Sequence, residues 1–142
     1  MGYYLRFLPE DDRPLALGEI VSGLRNADPG FHLEEDGGLM RGDELLAQLE
    51  VNKAGDALFE IEIDELRQEA EPGGAAASAV TTRLESVTAV LAVRVLWQQR
   101  TAEQTLDLLG PLWEWLLANR RGLIQADGEG FYEGQELILA TE

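Results

Sequence analysis

Carboxylates are the side chains best able to support chemistry in this chain, and they are most regularly spaced in Phe59-Glu60-Ile61-Glu62-Ile63-Asp64. Apolar and acidic residues alternate at every position of this segment. On a β-strand, the alternation predicts one apolar face and one face with three carboxylates. Like charges side by side on a sheet repel one another, so such a face favours a cation, a basic partner or plain hydration.

Two neighbouring predicted strands extend this acidic face. Polar and apolar residues also alternate at 31–35 and at 45–51, where Gln48 belongs to the polar side. Tyr4, Arg6 and Arg94 join the face where the strand registers agree. The alternative is a hydrated face, partly neutralised by the two arginines. The candidates for binding a basic protein partner are His32, Glu34, Glu50, Glu60, Glu62 and Asp64.

A metal site is a second possibility at His32, the only histidine. His32-Leu33-Glu34 has the H-x-E spacing found in zinc deaminases, but those sites also use cysteine ligands, and this chain has no cysteine. His32, Glu34 and a carboxylate from a neighbouring strand would suit manganese or zinc. We favour a surface histidine without a role, and we predict no metal and no cofactor.

The segment Asp127-Gly128-Glu129-Gly130-Phe131-Tyr132-Glu133-Gly134 begins with alternating acids and glycines, as some calcium loops do. The EF-hand pattern fails because its twelfth position, a bidentate glutamate, falls on Ile138. We interpret the segment as turns, since glycine supplies positive φ and the acids are hydrated.

Motifs for nucleophilic and nucleotide chemistry are absent from the sequence. No serine lies in G-x-S-x-G, and neither a P-loop nor G-x-G-x-x-G is present. The lack of cysteine excludes disulfides, thiolate zinc sites and a cysteine nucleophile. We therefore assign no catalytic residue. Whether the protein is an enzyme stays open, with a non-catalytic protein favoured.

The segment 101–119 predicts a helix with an unusually wide apolar surface. Gly110-Pro111 in its middle predicts a kink or a two-piece helix. Apolar residues cover about 200° of its circumference, whereas a single core contact needs about 100°. A second contact surface, such as a dimer interface, would use Leu108, Leu112 and Trp115. The alternative is a helix sunk in the core or covered by the C-terminal strands.

Charge narrows the classes of partner. The net charge is −16, and residues 1–74 carry 18 acids and 6 bases. Nucleic acids and anionic membranes need clustered lysine and arginine, so we expect neither as a partner. No apolar stretch approaches the length of a membrane span, and no secretory signal is visible. We expect a soluble, cytoplasmic protein.

The predicted order of elements is β-α-β-β-β-α-β-α-β-β, with the third and fourth strands at 45–51 and 57–64. Residues 36–43 are read as a glycine-rich connection. Residues 75–85 predict a helix and 87–97 a central strand, although one helix over 75–98 is the main competitor. Thr101 and Gln104 match a capping box at the start of the next helix.

This order favours one α+β domain over residues 1–142. It would be a two-layer sandwich with helices on one face of a mainly antiparallel sheet, and a ferredoxin-like arrangement is the nearest common form. We expect a small acidic interaction or regulatory domain of bacterial type that binds a basic protein or self-associates. An immunity or antitoxin-like role fits the charge. The alternative is a metal-dependent enzyme or small-molecule-binding domain centred on His32.

Overall fold

A computed structural model describes residues 2–97 and 100–141, which form one antiparallel sheet with helices on both of its faces. The elements in chain order are β1 (Gly2–Pro9), α1 (Leu17–Ala27), β2 (Phe31–Leu33), β3 (Gly38–Arg41), β4 (Glu44–Lys53), α2 (Ala57–Ala70), α3 (Ala75–Leu84), β5 (Ala89–Leu96), α4 (Ala102–Leu108), α5 (Gly110–Asn119), β6 (Gly122–Ala126), β7 (Gly130–Glu133) and β8 (Glu136–Ala140). The eight strands lie in the order β2-β3-β4-β5-β1-β6-β7-β8, and all neighbouring pairs are antiparallel.

The central strand β5 divides the core in two. Leu91, Val93 and Val95 point to one face, which α1, α4 and α5 cover; we call it the closed face. Val90 points to the opposite face, where it packs with residues of α2 and α3. The first part of β5 is apolar on both sides because each face meets a helix layer there, whereas Arg94 near its end is exposed.

The predicted α+β class and mainly antiparallel sheet are confirmed. Helices cover both faces, however, where we expected one. The order of elements also differs, since β3 lies within the predicted connection 36–43 and residues 57–70 form a helix. The β-α-β-β-α-β order of a ferredoxin-like fold is therefore not reproduced.

The segment 57–64 is the main correction. It is the first part of α2, and Phe59, Ile63, Leu66 and Ala70 are its buried residues, at the three- and four-residue spacing of a helix. Ile61, which the strand prediction placed beside Phe59 and Ile63, is 55% exposed. The six-residue alternation is too short to distinguish the two periods, and the helical spacing becomes clear only when the pattern is continued to Ala70.

Three further predictions about helices are confirmed. Residues 75–96 form a helix and then a strand, so the single long helix is wrong. The capping box at Thr101 and Gln104 is present at the start of α4. The predicted two-piece helix is also present, because α4 ends at Leu108 and α5 begins at Gly110 with Pro111 in its first turn.

Candidate protein-interaction surface

The face of the sheet opposite the closed face is covered over only part of its area. Strand register aligns Gln48, Arg94 and Tyr4 side by side on β4, β5 and β1. Two residues further along, the same strands bring Glu50, Ala92 and Arg6 together. These residues share one face because side chains two positions apart on a strand point the same way.

Arg6 connects this face to the flank of α2. Its Nε donates to Glu62 Oε2 at 2.8 Å, and its Nη1 donates to Gln125 Oε1 at 2.6 Å and to Asp127 Oδ1 at 2.9 Å. Burial alone would lower the pKa of Arg6, but the hydrogen bonds to Glu62 and Asp127 raise it above its ordinary value. Its guanidinium also lies 5.2 Å from the centre of the Tyr4 ring. Arg6 therefore marks the edge between the part of this sheet face that α2 covers and the part that is open.

Beyond Arg6 the sheet is open. Tyr4 is 38% exposed, and Glu50 and Arg94 are exposed, so no helix within the described residues covers them. We call this region the open sheet face. Its members are Tyr4, Gln48, Glu50, Ala92 and Arg94, together with the adjoining residues His32, Glu34, Glu35, Asp36, Met40 and Leu45.

Two shallow depressions cross the open sheet face, with volumes of about 520 Å³ and 210 Å³, and both are lined by Asp36 and Gln48. The turn that carries Asp36 lies against β4, where Gln48 Nε2 donates to the Asp36 carbonyl. Gly37 allows this close approach, because its φ is 92° and a Cβ there would lie 2.5 Å from the Leu49 carbonyl oxygen. The backbone of this turn thus holds an acidic residue, Asp36, at the side of both depressions.

Ion pairs occupy most of the arginines but leave the net charge of −16 unchanged, because each of these arginines pairs with a carboxylate. Among the described residues, six of the arginines form ion pairs, namely Arg6, Arg41, Arg67, Arg83, Arg100 and Arg120. On the open sheet face, Arg94 makes no ion pair with any residue in 2–97 or 100–141. The carboxylates there are Glu34, Glu35, Asp36 and Glu50, so they outnumber the single arginine.

His32 and Glu34 lie together at the end of this surface. Their side chains are 44% and 53% exposed, and His32 Nε2 is 3.5 Å from Glu34 Oε1. Within the described ranges, no group of three or more histidine, aspartate or glutamate side chains could hold a metal ion. The geometry of this pair therefore gives the metal-dependent alternative no support.

The six partner-binding candidates do not all share one surface. His32, Glu34 and Glu50 lie on the open sheet face, and Glu62 lies at its edge, paired with Arg6. Glu60 and Asp64 belong to other sides of α2, and Asp64 pairs with Arg67 at 2.9 Å. The prediction that all six share one face was wrong because a helix places residues two positions apart about 200° from each other.

Sequence reasoning missed the apolar part of this region. Leu58 and Ile61 of α2 are 58% and 55% exposed, which is unusual for large aliphatic side chains. A helical wheel over 57–70 would have found them, since it places both away from the buried stripe of Phe59 and Ile63. Met40 and Leu45, which line the larger depression, give no such signal in the sequence.

The three self-association candidates are buried or partly buried in the structure. Leu112 is 0% exposed and belongs to the core, so it cannot form part of a surface. Leu108 and Trp115 are partly buried against the same core. A Cβ on Gly23 of α1 would collide with the Trp115 indole, which shows how closely that ring packs on the helix. The wide apolar surface of 101–119 is explained by core packing, as in the alternative we considered.

The acidic turn after β6 has a structural role in the described chain. Asp127 binds Arg6 as described above, and Glu129 accepts a 2.7 Å hydrogen bond from the Tyr132 hydroxyl. That bond raises the pKa of Tyr132 above its ordinary value. These contacts agree with a turn at 127–129, whereas the next part of the segment, Gly130–Glu133, forms β7.

Comparison of the chain with protein-family models, with curated proteins and with solved structures finds no match in any of the three. Among the described residues, no helix has both the length and the apolar character that crossing a membrane requires.

Proposed function

We propose that this protein is a non-catalytic interaction module that binds a basic protein partner through the open sheet face. The observation that carries the proposal is the combination of an uncovered stretch of sheet and carboxylates around it that outnumber the one arginine there. The helices α2 and α3 cover the rest of this side of the sheet, so the open sheet face is the part that a partner can reach.

Charge supports a basic partner. Glu34, Glu35, Asp36 and Glu50 give the open sheet face a negative potential, and Arg94 offsets only one of these charges. Complementary potentials accelerate association and exclude partners of the wrong sign. The net charge of −16 acts in the same direction over longer distances at low ionic strength.

The proposal is tested by binding of a fluorescent oligoarginine peptide to two variants that lose the same amount of charge. One combines Glu34→Gln, Glu35→Gln and Glu50→Gln on the open sheet face. The other combines Glu103→Gln, Asp107→Asn and Glu114→Gln, which are exposed on α4 and α5. Circular dichroism verifies that each variant is folded.

We expect the first variant to bind about tenfold more weakly than the wild type, and the second to bind almost as well as the wild type. Equal losses in the two variants would show that only the overall charge attracts the peptide. That result would overturn the proposal.

A further inference from the structure

Three helices cover one face of the sheet and two cover the other, so the two faces differ by one helix in the described part of the chain. On the closed face, α1, α4 and α5 cover the sheet, whereas α2 and α3 on the other side pack on Leu8, Val90 and Leu123 and leave the open sheet face bare. The bare part spans β4, β5 and β1, whose outer two strands are about 10 Å apart, which is the diameter of a helix with its side chains.

The flank of α2 beside this gap carries apolar and acidic side chains. Glu62 reaches Arg6, so the side of α2 that carries Glu62 faces the open sheet face. Leu58 and Glu65 lie on the same flank, one turn before and one turn after Glu62. Ile61 lies next to them on the upper side of the helix and is exposed.

Apolar and acidic side chains also lie together on the floor of the gap. Met40 and Leu45 line the larger depression, and Tyr4 and Ala92 line the smaller one. Glu34, Glu35 and Glu50 surround them. Gln48 and Arg94 lie between these apolar side chains on the floor. Apolar side chains bordered by carboxylates complement a helix with one apolar stripe flanked by lysine and arginine.

We propose that the occupant of the open sheet face is a basic amphipathic helix of a partner protein, which packs beside α2 and completes the helix layer on that side. This inference rests on the function proposed above and specifies the shape of the segment that binds. A helix fits better than a strand, because a strand pairs with a sheet at its edges and not on its face. Charge disfavours a second copy of this chain as the occupant, since each copy carries −16.

Three synthetic peptides with equal numbers of lysines test whether the segment that binds is a helix. The first is an 18-residue amphipathic helix with a leucine stripe, the second replaces the leucines with glutamine, and the third contains two prolines that prevent the helix. We expect the first to bind at least about tenfold more tightly than the other two, since only it buries apolar surface in a preformed helix.

Two protein variants locate the binding of the amphipathic peptide. Leu58→Ala should weaken it about tenfold, because an apolar contact on the flank of α2 is lost. Leu137→Ala on β8 is the matched control, since Leu137 is 46% exposed but belongs to the edge strand of the sheet. It should leave the affinity unchanged.

The outcomes separate this inference from the proposed function. Equal affinity for the amphipathic and proline-containing peptides, with both still sensitive to the Glu34, Glu35 and Glu50 substitutions, would overturn the helix and leave the basic partner standing. Affinity that none of these substitutions changes would overturn both. Weaker binding in the Leu58→Ala variant, together with preference for the amphipathic helix, supports the inference.

Discussion

The helices on the closed face are rich in apolar residues that are largely buried, whereas the acidic helix α2 on the other face has exposed apolar residues. On the closed side, α4 and α5 are rich in leucine and tryptophan, yet their largest apolar residues pack on α1 and β5. On the other side, α2 is among the most acidic segments, yet it carries Leu58 and Ile61 exposed. The apolar residues of α4 and α5 are thus largely buried, whereas α2 exposes two large apolar side chains within an acidic segment.

The largest expected effect compares one leucine from each side. Leu112→Ala on the closed side should lower the free energy of unfolding by about 3 kcal/mol, because it leaves a cavity at a side chain that is 0% exposed. Leu58→Ala on α2 should change it by less than about 0.5 kcal/mol. Urea unfolding measures both. A dimer that Leu112→Ala converts to a monomer without loss of stability would restore the self-association hypothesis.

The next comparison concerns two arginines. Arg120, at the end of α5, has a side chain that is 0% exposed and donates to Asp11 Oδ1 at 2.5 Å and to the Arg13 carbonyl at 2.7 Å. Arg6, on the other side, is 16% exposed. We expect Arg120→Met to cost about 2 kcal/mol and Arg6→Met about 1 kcal/mol in unfolding free energy. A larger cost for Arg6→Met would show that the edge of α2 is the more tightly held region.

Acid pH should weaken the closed side through Asp11. The hydrogen bond from Arg120 lowers the pKa of Asp11 below its ordinary value. The stability that this ion pair contributes is therefore complete above about pH 4, the pKa of the unfolded carboxyl, and is lost as the pH falls through the lower pKa of the folded state. Unfolding measured between pH 5 and pH 3 should show a smaller decrease in stability for Asp11→Asn than for the wild type. The same slope in both proteins would contradict the assignment.

The smallest expected effect concerns Arg94, the one arginine on the open sheet face. Its removal in Arg94→Gln should leave stability unchanged, because the side chain is exposed and makes no ion pair within residues 2–97 and 100–141. It should tighten binding of the basic amphipathic peptide about threefold, since a like charge is removed from the surface. The matched control is Arg121→Gln, an exposed arginine beside β6. Equal tightening by both substitutions would assign the effect to net charge.

Much of the fold was predictable because several local signals agree with the final structure. The Thr101 capping box, Pro111 within the helix and the β-branched run of β5 each specify local structure, and each is confirmed. The segment 57–64 failed because alternation of apolar and acidic residues over six positions fits both a strand and the start of a helix. Leu66 and Ala70, which decide between them, lie beyond that window.

The candidate surface was predictable only in part. Alternation placed Glu50, Arg94 and Tyr4 on one face correctly, because it depends on strand geometry alone. Which part of that face a helix covers depends on the path of α2 across the sheet, and no local pattern encodes that path. The prediction therefore could not separate Glu62, which is paired with Arg6, from Glu50, which is exposed.

We propose that the open sheet face is the binding surface. NMR of the ¹⁵N-labelled protein titrated with the basic amphipathic peptide tests this most directly. We predict that the largest amide shift changes occur at Tyr4, Gln48, Ala92 and Arg94 and along the exposed flank of α2. Changes centred on Glu103, Asp107 and Glu114 of α4 and α5, or spread evenly over the acidic surface, would contradict the account.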